Sequence, residues 1–440
     1  MRSVAAGVRE GAFRAWARTP EGARAVIRRT SAFGPARRRL WPLHLNTVRF
    51  ASATEPAPSG PPRVLILDLD LPQPTRSGGH RRLLEIAALL MNSGVAVTIG
   101  TCNSLEQTAV AWGVPIGLLR EEADVLRRRF PLILGPREIG IHLNEKGRGL
   151  SSVWFSRSGP GLAYLHHVLA AAPYARIVFD SMDAEHVRLA RRAQLGDLGD
   201  SPGEILDSWR REKLMVQVAD TVIAVSKSDA AALESLAEGS SGTVTVVPNL
   251  YDLSTRRAHG DRRAEGYRWD LLFVGGFLHE PNTDAVRWLL EGIIPRLPPH
   301  RYRIALVGHG LPRDLAARAA GVGVDYLGEV ASLDAVYAIS RVSIAPVRFG
   351  SGVKGKVIEA ALHGLPVIGT TVAWEGIEVA PGVSGVVADD ETGFAVAIEA
   401  LLESNEDRRE MVEESGRWLT PFASQFYSDI LRDAVGVRHA

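Results

Sequence analysis

Lys354 and Lys356 lie in a glycine-rich stretch, Gly350-Ser351-Gly352-Val353-Lys354-Gly355-Lys356, and Glu359 follows three residues later. The apolar run before it and the helical pattern after it make this a buried strand, a flexible loop, and a helix opening on Lys356 with Glu359 one turn inside. Such a unit suits a diphosphate joined to a ribose. Glycines let the backbone approach a ligand and adopt positive φ, while first-turn N–H groups and the helix dipole favour an anion. The lysines add charge where phosphates would sit. A carboxylate at Glu359 repels phosphate, so its partner is better a neutral polyol. The competing reading is a solvated turn between strand and helix.

A second set lies earlier in the chain. Asp180, Asp183 and His186 follow the apolar run Ile177-Val178-Phe179, which aims them at whatever cleft the strand ends face. Histidine is the usual proton-transfer group near neutral pH, so these three are candidates for acceptor binding or proton handling. The alternative makes Asp183 a helix N-cap and leaves His186 on a surface face. Arg157, ending the run from Ser152, is a candidate for an anionic acceptor. Gly78 and Gly79 lie in another glycine-bearing loop, Thr75 to His80. Neither loop fits the G-x-G-x-x-G dinucleotide fingerprint or the P-loop, which disfavours an NAD-dependent dehydrogenase and an ATPase. His166-His167 and the Asp180 cluster have no recognisable metal spacing.

The elements that position these residues form two series. Short apolar runs at 64–67, 95–99, 152–155, 176–179, 221–225 and 244–247 alternate with helical patterns, the signature of a parallel sheet with crossover helices. The series restarts at 271–274, 303–307, 324–327, 342–345 and 366–368, with a helix expected over Pro281 to Leu290. The expectation is an α/β protein of two Rossmann-like, doubly wound domains facing across a cleft, with ligands at the carboxyl ends of the strands. The boundaries read as a basic extension and Pro-rich linker at 1–60 and a first domain at 61–251. A linker at 252–268, a second domain at 269–420 and a C-terminal helix at 421–440, returning to the first domain, complete the chain.

A chain of 440 residues suits two domains with an appendage, and a net charge of +1 gives no argument for nucleic acid. The charge is uneven, because residues 1–50 hold eleven Arg and two acids. That segment reads as a plain extension, an organelle transit peptide, or an amphipathic helix on anionic lipid. The single Cys102 excludes an intramolecular disulfide and is expected to be a small buried residue. With no apolar stretch long enough to cross a membrane, the expected setting is cytoplasmic, with peripheral contact at the inner face through the basic arm.

In order and spacing, these glycine motifs resemble the retaining glycosyltransferases of the GT-B fold, family 4. The resemblance spans most of 63–434 and rests on Ser77-Gly78-Gly79, Val247-Pro248-Asn249, Phe273-Val274-Gly275-Gly276, Leu306-Val307-Gly308-His309-Gly310, Leu327-Gly328-Glu329-Val330, Gly350 through Ala360, Gly364-Leu365-Pro366 and Trp374-Glu375-Gly376. It implies a second domain that binds a nucleotide sugar, UDP- or GDP-linked, and a first domain that binds a glycan, lipid or small-molecule acceptor, the choices lying around Glu375 and in first-domain loops such as Pro136 to Gly149.

The implied donor set is Gly78, Gly79, Gly350, Ser351, Gly352, Val353, Lys354, Lys356, Glu359 and Glu375. Lys354 and Lys356 match the residues that neutralise the diphosphate, and Glu359 matches the second acid of the Glu-x7-Glu motif. Ser351 stands where the first acid belongs, and Phe277 where many members carry Arg. Glu375 is read either as a sugar contact or as a helix-start carboxylate, and His309 as a loop residue.

Catalysis is expected from Lys354, Lys356 and helix N–H groups stabilising the leaving diphosphate, with His186 as proton carrier, without a metal or a bound cofactor. The alternatives are a nucleotide-sugar 2-epimerase and a non-catalytic sugar-nucleotide-binding partner.

Overall fold

The computed structural model describes residues 60–196, 202–257, 266–377 and 385–437. The basic extension expected at 1–60, apart from its last residue, and the middle of the expected linker lie outside the described residues.

The first domain holds β1 (Arg63–Asp68), β2 (Ala96–Thr101), β3 (Leu132–Leu134), β4 (Ser152–Ser156), β5 (Arg176–Asp180), β6 (Thr221–Ala224) and β7 (Thr243–Val246). They form one parallel sheet in the order β3-β2-β1-β4-β5-β6-β7. The second domain holds β8 (Trp269–Val274), β9 (Ile304–Val307), β10 (Val324–Gly328), β11 (Ser340–Ala345), β12 (Val367–Gly369) and β13 (Val386–Val387), parallel in the order β10-β9-β8-β11-β12-β13. In each sheet the chain winds outward one way and then the other. The reversal lies between β1 and β4 in one domain and between β8 and β11 in the other, where a crevice opens at the strand ends.

The runs form strands because helices cover both faces, so nearly every central residue is apolar. Leu65, Leu67, Val153 and Phe155 face one side of the first sheet, and Val64, Ile66 and Trp154 the other. The second sheet divides likewise, with Leu271 and Phe273 on one face and Leu272 and Val274 on the other. Leu431, Ala434 and Val435, near the end of the chain, are buried among first-domain residues. Tyr251 is tied by backbone hydrogen bonds to Phe422 and Ser424.

Four helices position the cleft residues: α1 (Gly78–Asn92), α2 (Ser158–Ala171), α3 (Glu185–Gln194) and α4 (Gly355–Leu362). Three readings of the sequence need correction. Gly78 and Gly79 are not loop residues but the first turn of α1, capped by the Ser77 hydroxyl, which accepts from the His80 N–H at 3.3 Å. Residues 136–149, read as a loop, contain the helix Pro136–Lys146, with Pro in its first turn and Ile139 and Leu143 buried. The helix expected over Pro281 to Leu290 runs over Glu280–Trp288 and then widens into a π turn at Leu289–Ile293.

Candidate active site

A cleft of about 930 Å³ separates the two sheets. Gly78, Gly79, Arg157, Met182, Asp183 and Arg188 line its first-domain wall. Gly275, Gly276, His279, Asn282, His309, Gly350, Ser351, Val353, Lys354, Lys356 and Glu359 line the other.

The glycine-rich loop adopts the conformation its composition allows. Gly350 has φ 155° and Gly352 φ 66°, and a Cβ at Gly352 would lie 2.7 Å from Val225 of the first domain. The loop therefore touches the opposite wall, which a larger side chain would prevent. Lys354 is the N-cap of α4, and no side chain caps that end. Its Nζ turns back on the loop, donating to the Gly352 carbonyl at 2.6 Å and the Ser351 carbonyl at 3.3 Å, and sits 3.3 Å from Glu375 Oε2. Burial lowers the Lys354 pKa, and Glu375 opposes that shift.

Lys356 lies deeper. Its Nζ donates to Asn282 Oδ1 and stands over the Phe273 ring, 4.8 Å from the centroid. Burial, with the neighbouring Lys354 charge, brings its pKa down to about 7. An incoming diphosphate would favour the protonated form of this lysine.

The carboxylates of the second domain are held across the cleft. Arg81 of α1 donates to Glu359 Oε1 at 2.6 Å, and Glu359 is largely buried. Arg191 of α3 grips both oxygens of Glu375 at 2.7 and 2.8 Å and also donates to the Gly350 carbonyl at 2.6 Å. Ser228 adds a bond to Glu375 at 3.1 Å. Burial opposes the charge on Glu375, yet Arg191 and Lys354 hold its carboxyl below the usual range. Ser351, in the position of the missing motif acid, donates to Asp183 Oδ2 at 3.3 Å. Asn249 reaches the Val353 carbonyl at 3.3 Å, Arg76 bonds Glu329 at 3.0 Å, and His309 lies 2.8 Å from the Trp112 carbonyl.

The acceptor-side candidates separate. Asp180 does not face the cleft: it is fully buried and paired with Arg82, Nη2 to Oδ1 at 3.2 Å, because α1 packs that arginine beneath the end of β5. Burial raises the Asp180 pKa, and Arg82 opposes that shift. Asp183 does reach the cleft and pairs with Arg188 Nε at 2.8 Å. Burial works against its charge, but Arg188 keeps its carboxyl below the ordinary value. It is not the N-cap of α3. That place belongs to Ala184, and Glu212 accepts from the N–H groups of Glu185 and His186 at 2.8 and 3.0 Å. His186 turns its ring to the same Glu212, with Nδ1 and Oε2 2.6 Å apart, and is not among the lining residues. The structure thus brings Asp183 and Arg157 to the cleft and sets Asp180 and His186 behind it.

Sequence reading missed Arg81, Arg191, Asn282 and His279. Asn282 could have been found, since it follows Pro281 in the first turn of a helix at the end of β8.

A two-domain molecule of this kind, open parallel sheets facing across a cleft with a glycine-rich, lysine-bearing helix start, has the GT-B fold of the glycosyltransferases. Comparison with solved structures agrees. HepE of Anabaena, solved with UDP and glucose, superposes with a TM-score of 0.63 at 14% identity over 85% of this chain and 99% of that one. Sucrose-phosphate synthase of Thermosynechococcus elongatus gives 0.62 at 14% identity over 84% and 98%. A glycosyltransferase of Rickettsia africae gives 0.60 at 12% identity over 86% and 100%.

The family model described as glycosyl transferases group 1 matches residues 268–404, the greater part of the second domain. A curated protein of Thioalkalivibrio sulfidiphilus, 4-hydroxy-tetrahydrodipicolinate synthase, is 33% identical over 250 residues, covering 49% of this chain and 84% of its own. The reaction in that name differs from sugar transfer. The family match lies within the second domain, and the two open parallel sheets carry the fold.

Proposed function

We propose that the protein transfers a sugar from a UDP- or GDP-linked donor to a glycan, lipid or small-molecule acceptor, with retention of anomeric configuration and without a metal. The observation that carries this reading is the uncapped start of α4 with Lys354 and Lys356 beside it, opposite Gly78 and Gly79. Bond cleavage places negative charge on the departing diphosphate, and fixed cations and N–H groups in a partly desolvated cleft stabilise it more than water does.

Glu359 is the ribose carboxylate in this reading, with Arg81 as the group it exchanges for ribose hydroxyls. Ser351 and Asp183 offer polar groups beside the donor sugar, and Arg157 lines the cleft from the first domain. Glu375 serves as an anchor for Lys354 and the loop, since its oxygens are held by Arg191 and Ser228. His186, tied to Glu212, is removed from the proposed proton path. The setting proposed is cytoplasmic, at the inner membrane face if the acceptor is a lipid.

Incubating the protein with UDP- and GDP-sugars, with and without a mixed acceptor extract, tests this reading. Acceptor-dependent release of one nucleoside diphosphate is the expected result. Tight nucleotide binding without turnover under any acceptor would replace it with a non-catalytic binding role.

A further inference from the structure

The arginines of the cleft are not equivalent. Arg76, Arg81 and Arg191 each reach a carboxylate of the second domain, and Arg188 is paired with Asp183. Arg157 is held from behind. Its Nη1 donates at 2.9 Å to Oδ1 of Asp68, a fully buried residue of its own domain, while the side chain remains 36% exposed toward the cleft.

Its backbone is unusual as well. Arg157 has φ 70° and ψ 167° at the start of α2, a positive-φ conformation that a side-chain-bearing residue seldom adopts. Its N–H is fixed to the Asp180 carbonyl at 2.8 Å. This places the guanidinium over the first turn of α1, where a Cβ on Gly79 would come 2.8 Å from Arg157 Nη2. Met182, with φ 62°, closes the other side, its Sδ 3.3 Å from the same point. A glycine at 79 and a strained arginine at 157 therefore form one unit, a cation lodged against a helix start and lining the cleft. Strain held at such a position is a feature of functional sites.

The two loop lysines of the second domain are constrained. Lys354 is engaged with Glu375. Lys356 is buried beside it, and burial opposes its charge.

We propose that Arg157 is the first domain's cation for the terminal phosphate of the donor diphosphate, so that the anion site is complete only when both domains face the ligand. This rests on the donor reading above. In transfer, the bond between the anomeric carbon and the terminal phosphate oxygen breaks, and its electron pair stays on that oxygen. The acceptor oxygen forms the new bond to carbon and gives up its proton to the leaving phosphate or solvent. Arg157 meets the charge that develops on the phosphate. Asp68 is the positioning residue that fixes the guanidinium.

Nucleotide pairs isolate the terminal phosphate. Calorimetric titration of the full chain and of Arg157→Gln with UDP and UMP, GDP and GMP, and ADP and AMP gives the readout. For the pair that binds, the diphosphate should weaken about 10- to 100-fold, as for loss of a charged hydrogen bond, and the monophosphate less than about twofold. Because Arg157→Gln leaves Asp68 buried without its partner, the Asp68→Asn/Arg157→Gln double variant is measured alongside and should show the same selective loss.

Equal weakening of both nucleotides, or none, would overturn the proposal. So would an increase confined to acceptor KM, which would place an acceptor anion at Arg157. If the unaltered protein binds none of the three diphosphates, the donor reading itself falls and this inference with it.

Discussion

The floor of the first domain and the loop of the second both concentrate charge, yet they use it differently. Beneath α1, Asp68, His80, Arg82 and Asp180 are all buried, with Asp180 paired to Arg82 and Asp68 to Arg157, partners within a single domain. Burial, with Arg157 nearby, lowers the His80 pKa to about 3, so its ring stays neutral and its Nδ1 accepts from the Gln73 N–H at 3.0 Å. In the second domain, Glu359 and Glu375 have their strongest partners, Arg81 and Arg191, on the other side of the cleft. Charge that is satisfied internally fixes a wall. Charge that is satisfied across a gap can be exchanged for a ligand.

Breaking the internal pair tests the first half of this comparison and should have the largest effect on stability. Asp180→Ala leaves Arg82 buried without its carboxylate, and removal of one partner of a buried pair costs about 3–5 kcal/mol. Urea unfolding should show that loss. A shift in acceptor KM with unchanged stability would restore Asp180 to the acceptor site.

Breaking a cross-domain clasp should act on shape before stability. Arg191→Met removes the bidentate grip on Glu375 and the bond to Gly350, partly exposed interactions worth roughly 1–3 kcal/mol. Small-angle scattering should show a larger radius of gyration without donor and the original value with it. An unchanged radius together with a lower midpoint of unfolding would make the clasp ordinary packing.

The smallest expected effect is on pH dependence. Lys356, at about 7 when folded and near 10.4 when unfolded, carries fewer protons in the folded chain between these values, so its contribution to stability rises with pH across that window. Diphosphate affinity should run the other way, falling by up to about tenfold per pH unit above 7 as the lysine loses its charge. Lys356→Arg should flatten that fall, because a guanidinium stays protonated.

The sequence made much of this visible and hid the rest for physical reasons. Strands such as Leu65 to Leu67 and Leu271 to Phe273 are readable because sheets covered on both faces need continuous apolar runs. The edge strands β3 and β13 have three and two residues, too few to show a period. The helix Pro136–Lys146 buries only Ile139 and Leu143 among polar neighbours, so its apolar stripe is too thin to distinguish from a loop.

The loop with Lys354 and Lys356 was legible because glycine, lysine and helix start are local features. The Arg81–Glu359 pair joins residues 278 positions apart, and the docking of two domains, not any local pattern, creates it. Asp180 was misplaced for a related reason. A residue ending a strand faces the cleft only if nothing packs over it, and Arg82 does.

The central claim is that a nucleotide-linked sugar binds between the domains with its diphosphate on Lys354 and Lys356. Its most direct test is nucleoside diphosphate release by the unaltered chain and by Lys356→Ala, with folding of both checked by thermal melting. The account predicts a loss of about 10²- to 10³-fold in rate with an intact melt. A Lys356→Ala variant that keeps full rate and full donor affinity would contradict it.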